Sequence, residues 1–188
     1  MPPERKFNRF AGRTYDPIKI ASIDGTDTEP HDRAVVRAIN SKYTPNKSLR
    51  GDPRNTLFVG RLNPRTTEDT LLAEFGVHGR ILKCRIVRDI VTGNSKQYAF
   101  IEYDNANNAQ KAYDKMDKEY IDGAEIIVDW EVGRLMRGWK PRRLGGGFGG
   151  KKESGQLRFG CRDRPFWEPL PLIAETNTKK DFNRQKKK

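Results

Sequence analysis

Two kinds of side chain alternate along residues 96–103, one suited to a core and one that is aromatic or charged, and this period of two predicts a β-strand with one buried face. Ala99, Ile101 and Tyr103 occupy one set of alternate positions, and Tyr98 and Phe100 occupy the other. Successive side chains of a strand point to opposite faces, so the first set suits a core. The pattern therefore predicts a strand whose second face carries two aromatic rings outside the core.

The same reasoning predicts a complete small domain around this strand. Further strands are predicted over 57–61, 81–88 and 125–130, and one helix before and one after the central strand pair completes the order βαββαβ. This order is the ferredoxin-like arrangement, an α+β fold. We expect residues 54–132 to form one antiparallel sheet with both helices on one face and the other face open.

The chain before this domain, residues 1–53, is predicted to contribute one helix. Residues 1–27 are polar and interrupted by proline and glycine, so no stable element is expected there. A helix is predicted near 30–43, with Pro30 in its first turn and an apolar stripe further along. Such a short helix is marginal alone, so it must pack on the domain or on a partner. Docking on the domain, away from the rings, is the favoured arrangement.

Charge is distributed unevenly along the chain. The 188 residues carry 37 Lys and Arg against 25 Asp and Glu, a net charge of +12. Residues 54–132 hold 11 basic and 13 acidic side chains, whereas residues 133–188 hold 16 basic and 5 acidic ones. The positive excess therefore lies in the C-terminal segment, which indicates a polyanionic partner.

Residues 133–188 are also rich in glycine and interleaved with aromatic side chains. The run at 145–150 is too glycine-rich to hold a regular element unaided. Glycine, arginine and aromatic residues in this mixture can follow a phosphate backbone and stack on bases. The alternative is a flexible linker, and the sequence leaves both interpretations open.

Two strings resemble the signature of the RNA recognition motif (RRM). Residues 96–103, KQYAFIEY, fit the RNP octamer at six of its seven specified positions if Ile101 counts as valine; Gln97 stands where the pattern has glycine. Residues 57–62, LFVGRL, resemble the RNP hexamer. The resemblance implies that the two strands lie side by side and that Phe58 shares a surface with Tyr98 and Phe100. The alternative, that these rings are core, disagrees with their strand phase.

An RRM of this kind binds RNA by stacking bases on rings and holding phosphates or base edges with cations. The predicted RNA-binding residues are Phe58, Tyr98, Phe100, Lys83, Arg85, Lys96, Trp139, Lys140, Arg142 and Arg143. We expect no enzymatic activity, metal site or cofactor, because no paired nucleophile and base, phosphate loop or ligand cluster is present. No apolar run is long enough to cross a membrane, so no membrane association is expected.

Strings outside the domain narrow the resemblance. They are WKPRRLGGG at 139–147, YDP at 15–17, SIDGTD at 22–27, PHDRA at 30–34 and KKESGQLRFG at 151–160. They resemble the RRM proteins of the spliceosomal snRNPs that recognise 5′ splice sites, especially those of the minor spliceosome. The resemblance implies a nuclear snRNP subunit that binds a small nuclear RNA stem-loop beside other snRNP and spliceosomal proteins in pre-mRNA splicing. The alternative is an RRM-like protein–protein interaction module in another ribonucleoprotein.

Overall fold

A four-stranded antiparallel sheet lies at the centre of the molecule. The computed structural model describes residues 14–22, 27–46 and 49–148. In chain order the elements are α1 (Pro17–Ala21), α2 (Arg33–Asn40), β1 (Thr56–Gly60), α3 (Glu68–Gly76), β2 (Ile81–Arg88), β3 (Ser95–Tyr103), α4 (Ala106–Met116), β4 (Tyr120–Ile121), β5 (Ala124–Glu125), β6 (Ile127–Trp130) and a 3₁₀ helix (Arg142–Leu144). The sheet order is β2-β3-β1-β6. The predicted α+β fold is confirmed. Within the described ranges no helix is both long and apolar enough to span a bilayer.

Helices α3 and α4 cover one face of the sheet and close a single core. Its buried residues include Leu57, Val59, Leu71, Phe75, Ala99, Ile101, Tyr103, Ala109 and Ala112. Tyr103 is fully buried, and its hydroxyl donates a hydrogen bond of 2.9 Å to the Phe75 carbonyl, which satisfies its one polar group. The core therefore takes the alternate positions of β1 and β3 that the sequence pattern assigned to it.

The predicted strand over 125–130 is in fact two short strands. Asp122 and Gly123 have φ of 50° and 75°, as a two-residue type I′ hairpin requires, and join β4 to β5. The hairpin ladder continues to Ile126, which donates to the Glu119 carbonyl at 2.9 Å. Only from Ile127 onward does the chain pair with β1. The interruption arises because residue 126 belongs to one ladder and residue 127 to the other.

A short helix also occupies part of the chain where no element was expected. The Asp16 carboxylate accepts hydrogen bonds from the backbone of Ile18 and Lys19, and Pro17 occupies the first turn of α1. Tyr15 and Ile20 are buried against Met136. The expectation of no stable element before residue 28 is therefore wrong, because a cap and a tertiary contact stabilise a helix too short to persist alone.

Helix α2 is shorter than the predicted 30–43. It begins after Asp32, whose carboxylate accepts from the Val35 backbone amide at 2.7 Å, so Asp32 and not Pro30 sets its start. Ala34, Val35 and Ala38 are buried, whereas Ile39 is 45% exposed. The buried face is thus centred on the two alanines.

The alanine face of α2 lies against the C-terminal flank. Helix α2 packs against α1 and the 3₁₀ helix. A Cβ at Gly145 would lie 2.0 Å from the Ala34 carbonyl oxygen, so the two backbones touch. The Lys140 ammonium donates to the Ser41 carbonyl at the end of α2. The expectation that this helix docks on the central domain is wrong, because the glycine turn offers it a closer surface.

Glycine is required in this turn for close packing. Gly145, Gly146 and Gly147 are all buried, and a Cβ at Gly146 would lie 2.1 Å from the Lys140 carbonyl oxygen. Gly145 and Gly147 have φ of 88° and 90°, which side chains other than glycine adopt at a cost. The flexible-linker interpretation is therefore wrong for these three residues. Residues 149–150 lie outside the described part of the chain.

An aromatic cluster joins the two flanks. The ring centroids of Tyr15 lie 5.0 Å from Trp139 and 5.6 Å from Phe148, and the last two are 4.9 Å apart. The Tyr15 hydroxyl donates to the Gly147 carbonyl at 2.8 Å. Residues 14–22, 27–46 and 133–148 therefore pack together, and we call them the flank module.

Arg134 connects the flank module to the sheet. Its guanidinium donates two hydrogen bonds of 2.7 Å to the Glu131 carboxylate and one of 2.8 Å to the Gly51 carbonyl. The bond to Glu131 raises the pKa of Arg134. Gly51 in turn lies against the Glu102 carboxylate of β3, which accepts from the Asp52 amide at 3.1 Å. The end of the sheet and both flanks are thereby held by one side chain.

The contact between Gly145 and Ala34 gives a stability prediction. Gly145→Ala should destabilise the flank module by about 2 kcal/mol or more, since a left-handed backbone costs an L-residue ~1–2 kcal/mol before any overlap with Ala34. The measurement is hydrogen exchange of the α2 amides, which should lose protection while the central sheet keeps it. Gly76→Ala is the control, because its Cβ would meet no atom within 4 Å. Unchanged α2 protection would contradict the prediction.

Candidate nucleic-acid interface

Three aromatic rings form a continuous patch on the sheet face opposite α3 and α4. Phe58 of β1 lies directly opposite Phe100 of β3, and their centroids are 5.8 Å apart. Tyr98 lies 5.7 Å from Phe58 and 6.1 Å from Phe100. All three rings are half-buried. Phe100 makes edge-to-face contacts with both other rings, so the three support one another while leaving ring surface accessible to flat, unpaired bases.

Basic side chains border this ring patch on the β2 side. Arg85 lies opposite Phe100 in the ladder, and Lys83 lies opposite Glu102. Both cations are exposed. Lys96, at the start of the octamer, is 3.6 Å from the Asp89 carboxylate. The sheet thus brings five of the predicted side chains onto one face, namely Phe58, Lys83, Arg85, Tyr98 and Phe100.

Asp89 has a separate structural role in the β2–β3 loop. Hydrogen bonds from the backbone of Thr92 and Val91 hold the pKa of Asp89 below its usual range, with Lys96 adding to the effect. The carboxylate thus organises the turn in which it lies. Two large apolar side chains, Ile90 and Val91, project from this turn into solvent.

The four predicted C-terminal residues have different surroundings. Trp139 is half-buried in the aromatic cluster of the flank module, and the Lys140 ammonium is bonded to the Ser41 carbonyl. Arg142 donates to the Phe148 carbonyl at 2.6 Å. Arg143 is exposed, with its guanidinium carbon 6.0 Å from the centre of the Tyr43 ring. Three of the four side chains therefore help to build the flank module.

Gln97, the departure from the octamer pattern, adopts the left-handed conformation that the pattern's glycine would suit. Its φ is 60°. Between the pairs Ile86–Ala99 and Arg88–Ser95, β3 advances four residues while β2 advances two, so Gln97 lies in a bulge. Its carbonyl accepts from the Leu62 amide at 3.0 Å. The backbone of the motif is kept despite the substitution.

Gly60 is a site residue that the sequence argument did not single out. A Cβ at this position would lie 3.0 Å from the Phe58 ring, closer than side chains normally pack. Glycine therefore leaves room for Phe58 to lie over β1 beside Tyr98. The signal was present in the hexamer, where Gly60 follows the ring by two residues on the same face.

The described residues provide neither a metal site nor a reactive thiol. They contain no group of three or more His, Cys, Asp and Glu side chains that could hold a metal ion. Burial, with a contribution from the Glu68 charge, raises the pKa of the Cys84 thiol to about 11. Cys84 therefore remains protonated near neutrality and packs as a small apolar side chain.

Comparison with known proteins agrees with the fold. Residues 57–127 match the RNA recognition motif family, so the central domain is an RRM. The U11/U12 small nuclear ribonucleoprotein 35 kDa protein of Xenopus laevis is 59% identical over 160 residues, which are 85% of this chain and 59% of that protein. The corresponding protein of Danio rerio is 55% identical over 85% of this chain and 77% of its own length.

The chain belongs to the U11/U12 small nuclear ribonucleoprotein 35 kDa protein family. It spans 59% of the length of the Xenopus laevis relative. A more distant relative, the U1 small nuclear ribonucleoprotein 70 kDa protein of Xenopus tropicalis, is 44% identical over 62% of this chain and 26% of its own length. These relatives are ribonucleoprotein subunits, a non-enzymatic class of protein.

The left-handed backbone of Gln97 gives a second stability prediction. Gln97→Gly should raise the free energy of unfolding by up to ~1 kcal/mol, because relief of the ~1–2 kcal/mol left-handed strain exceeds the added chain entropy of glycine. Urea unfolding measures the change. Gln110→Gly, the same substitution in the exposed face of α4, should instead destabilise by ~1 kcal/mol. A loss of stability in both variants would show that the bulge imposes no strain.

Proposed function

We propose that this chain binds RNA within a small nuclear ribonucleoprotein. The observation that carries the proposal is the set of Phe58, Tyr98 and Phe100 rings, 5.7–6.1 Å apart on the sheet face opposite α3 and α4. These three rings do not belong to the hydrophobic core under α3 and α4, so the packing of the core does not account for them. Unpaired bases stack on such a surface, and each stacked base contributes ~1–3 kcal/mol.

The cations around the rings suit the same ligand. Lys83 and Arg85 are exposed beside the patch, so they can reach phosphates or base edges of a strand lying across it. Lys96 lies at the other end of β3 with Asp89. Bases on the rings and phosphates at the strand edges would give both affinity and a fixed direction for the RNA.

The ligand we propose is a stem-loop of a small nuclear RNA. The names of the 35 kDa relatives refer to the U11 and U12 small nuclear ribonucleoproteins, which supports a role in the minor spliceosome. We infer that the chain contributes to recognition of the 5′ splice site of minor-class introns in pre-mRNA splicing. Other snRNP and spliceosomal proteins would be its partners, and the nucleus would be its location.

The ring patch gives a direct prediction. Phe58→Ala, Tyr98→Ala and Phe100→Ala should each weaken RNA binding by ~1–3 kcal/mol, because each removes one stacking surface. Binding is measured by gel shift with a U11 stem-loop RNA. Folding should survive, since the lost ring atoms face away from the core. Thermal unfolding checks this point.

Tyr120→Ala is the matched control for these variants. Tyr120 is an exposed tyrosine in the β4–β5 hairpin, outside the four-stranded sheet. Its loss should leave RNA binding unchanged. If the ring variants bind RNA as well as the control does, the open face is not the RNA site. A protein–protein interaction module would then be the better interpretation.

A further inference from the structure

The packing of α2 on the 3₁₀ helix brings basic side chains from both ends of the chain to one surface. Arg37 is exposed and lies one helical turn after Ala34, whose carbonyl contacts Gly145. Helix positions three apart share a face, so Arg37 borders the seam between the two elements. Arg143, also exposed, belongs to the 3₁₀ helix on the other side of that seam.

The end of α2 continues this surface. The Arg143 guanidinium carbon is 6.0 Å from the centre of the Tyr43 ring, which is within the range of a cation–π contact. Lys42, the residue before Tyr43, is exposed. The bond from Lys140 to Ser41 fixes this end of α2 against the C-terminal flank. We call Arg37, Lys42 and Arg143 the basic ridge.

The ridge cations differ from several other basic residues in their ion pairing within the described part of the chain. None of the three forms a salt bridge with any other residue that the structure describes. By contrast, Arg134 is paired with Glu131 at 2.7 Å. Residues 133–148 carry five basic and no acidic side chains. The ridge therefore offers a ligand three cations that no described residue holds in a salt bridge.

The chemistry of the ridge suits phosphate groups more than bases. The rings of Tyr15, Trp139 and Phe148 pack on one another, and Tyr43 is half-buried below Arg143. Exposed cations suit a phosphate backbone. The paired bases of a duplex are stacked inside it, so a base-paired stem presents mainly phosphates to such cations. This differs from the open sheet face, where rings dominate.

We propose that the basic ridge binds the backbone phosphates of a base-paired RNA stem whose unpaired bases lie on the sheet. The inference rests on the proposed function and adds the N-terminal helix to the RNA-binding surface. Arg134 is held beside Glu102 at the end of the open face, and Arg143 follows nine residues later. An extended chain of that length spans at most ~30–32 Å, so one hairpin can contact both surfaces.

The test uses the full chain and two RNA probes. One probe is the first stem-loop of U11 snRNA, and the other is its loop sequence as a single strand. The ridge variant combines Arg37→Gln, Lys42→Gln and Arg143→Gln. The control variant combines Arg80→Gln, Lys111→Gln and Lys115→Gln, which removes the same charge from exposed positions before β2 and on α4. Circular dichroism confirms that both variants fold.

The expected result is a loss confined to the hairpin and to the ridge variant. The plot of log affinity against log salt concentration has a negative slope, and the loss of three phosphate contacts should make that slope shallower by about 2–3. The single-stranded loop should bind the ridge variant and the control variant equally well. Equal slopes for both variants on the hairpin would overturn the inference, as would an equal loss on both probes.

Phe100→Ala separates this inference from the proposed function. It should weaken binding of both probes, because it acts on the unpaired bases. If it weakens neither probe while the ridge variant still loses hairpin affinity, the role of the rings fails and the ridge stands. If the unaltered chain does not bind the hairpin, both proposals fail.

Discussion

The register between β1 and β3 determines what the central domain can present to a ligand. Phe58 opposes Phe100, while Val59 opposes Ala99 and Leu57 opposes Ile101. A slip of one residue would turn the rings into the core and the aliphatic side chains toward solvent. The burial of the aliphatic set under α3 and α4 therefore fixes the register, and the register fixes the ring patch. Stability and ligand geometry depend on the same pairing.

Most of the central domain could be predicted from sequence because its information is local. The alternation in β3, the caps of α3 and α4 and the turn at Asp122 and Gly123 each involve neighbouring residues. The ring patch followed from strand phase together with the motif resemblance. The division of the last strand could not be predicted in this way. It depends on the hydrogen bond between Ile126 and Glu119, and the periodicity of the sequence does not identify that partner.

The flanks could not be predicted because their contacts are distant in sequence. The Tyr15 hydroxyl donates a hydrogen bond to the carbonyl of Gly147, which is 132 residues away in sequence. Ala34 and Gly145 contact each other through their backbone atoms. Neither contact has a periodic signature. The glycine run was consistent with a linker or a phosphate-binding strand, and only the approach of α2 shows why residues 145–147 must be small. Likewise, the structural role of Trp139 and Lys140 in the scaffold that supports Arg143 depends on distant partners, so the sequence predicts them only as RNA contacts.

The link between Tyr15 and Gly147 has a consequence for synthesis of the chain. The ribosome makes α1 and α2 first, yet their packing surface is completed only when residue 147 emerges, 132 residues after Tyr15. At roughly 5–20 residues per second, Tyr15 waits ~7–26 s for Gly147. The central domain can close in that interval, because its core lies within 54–132. The described flanks then pack together after the central domain has formed.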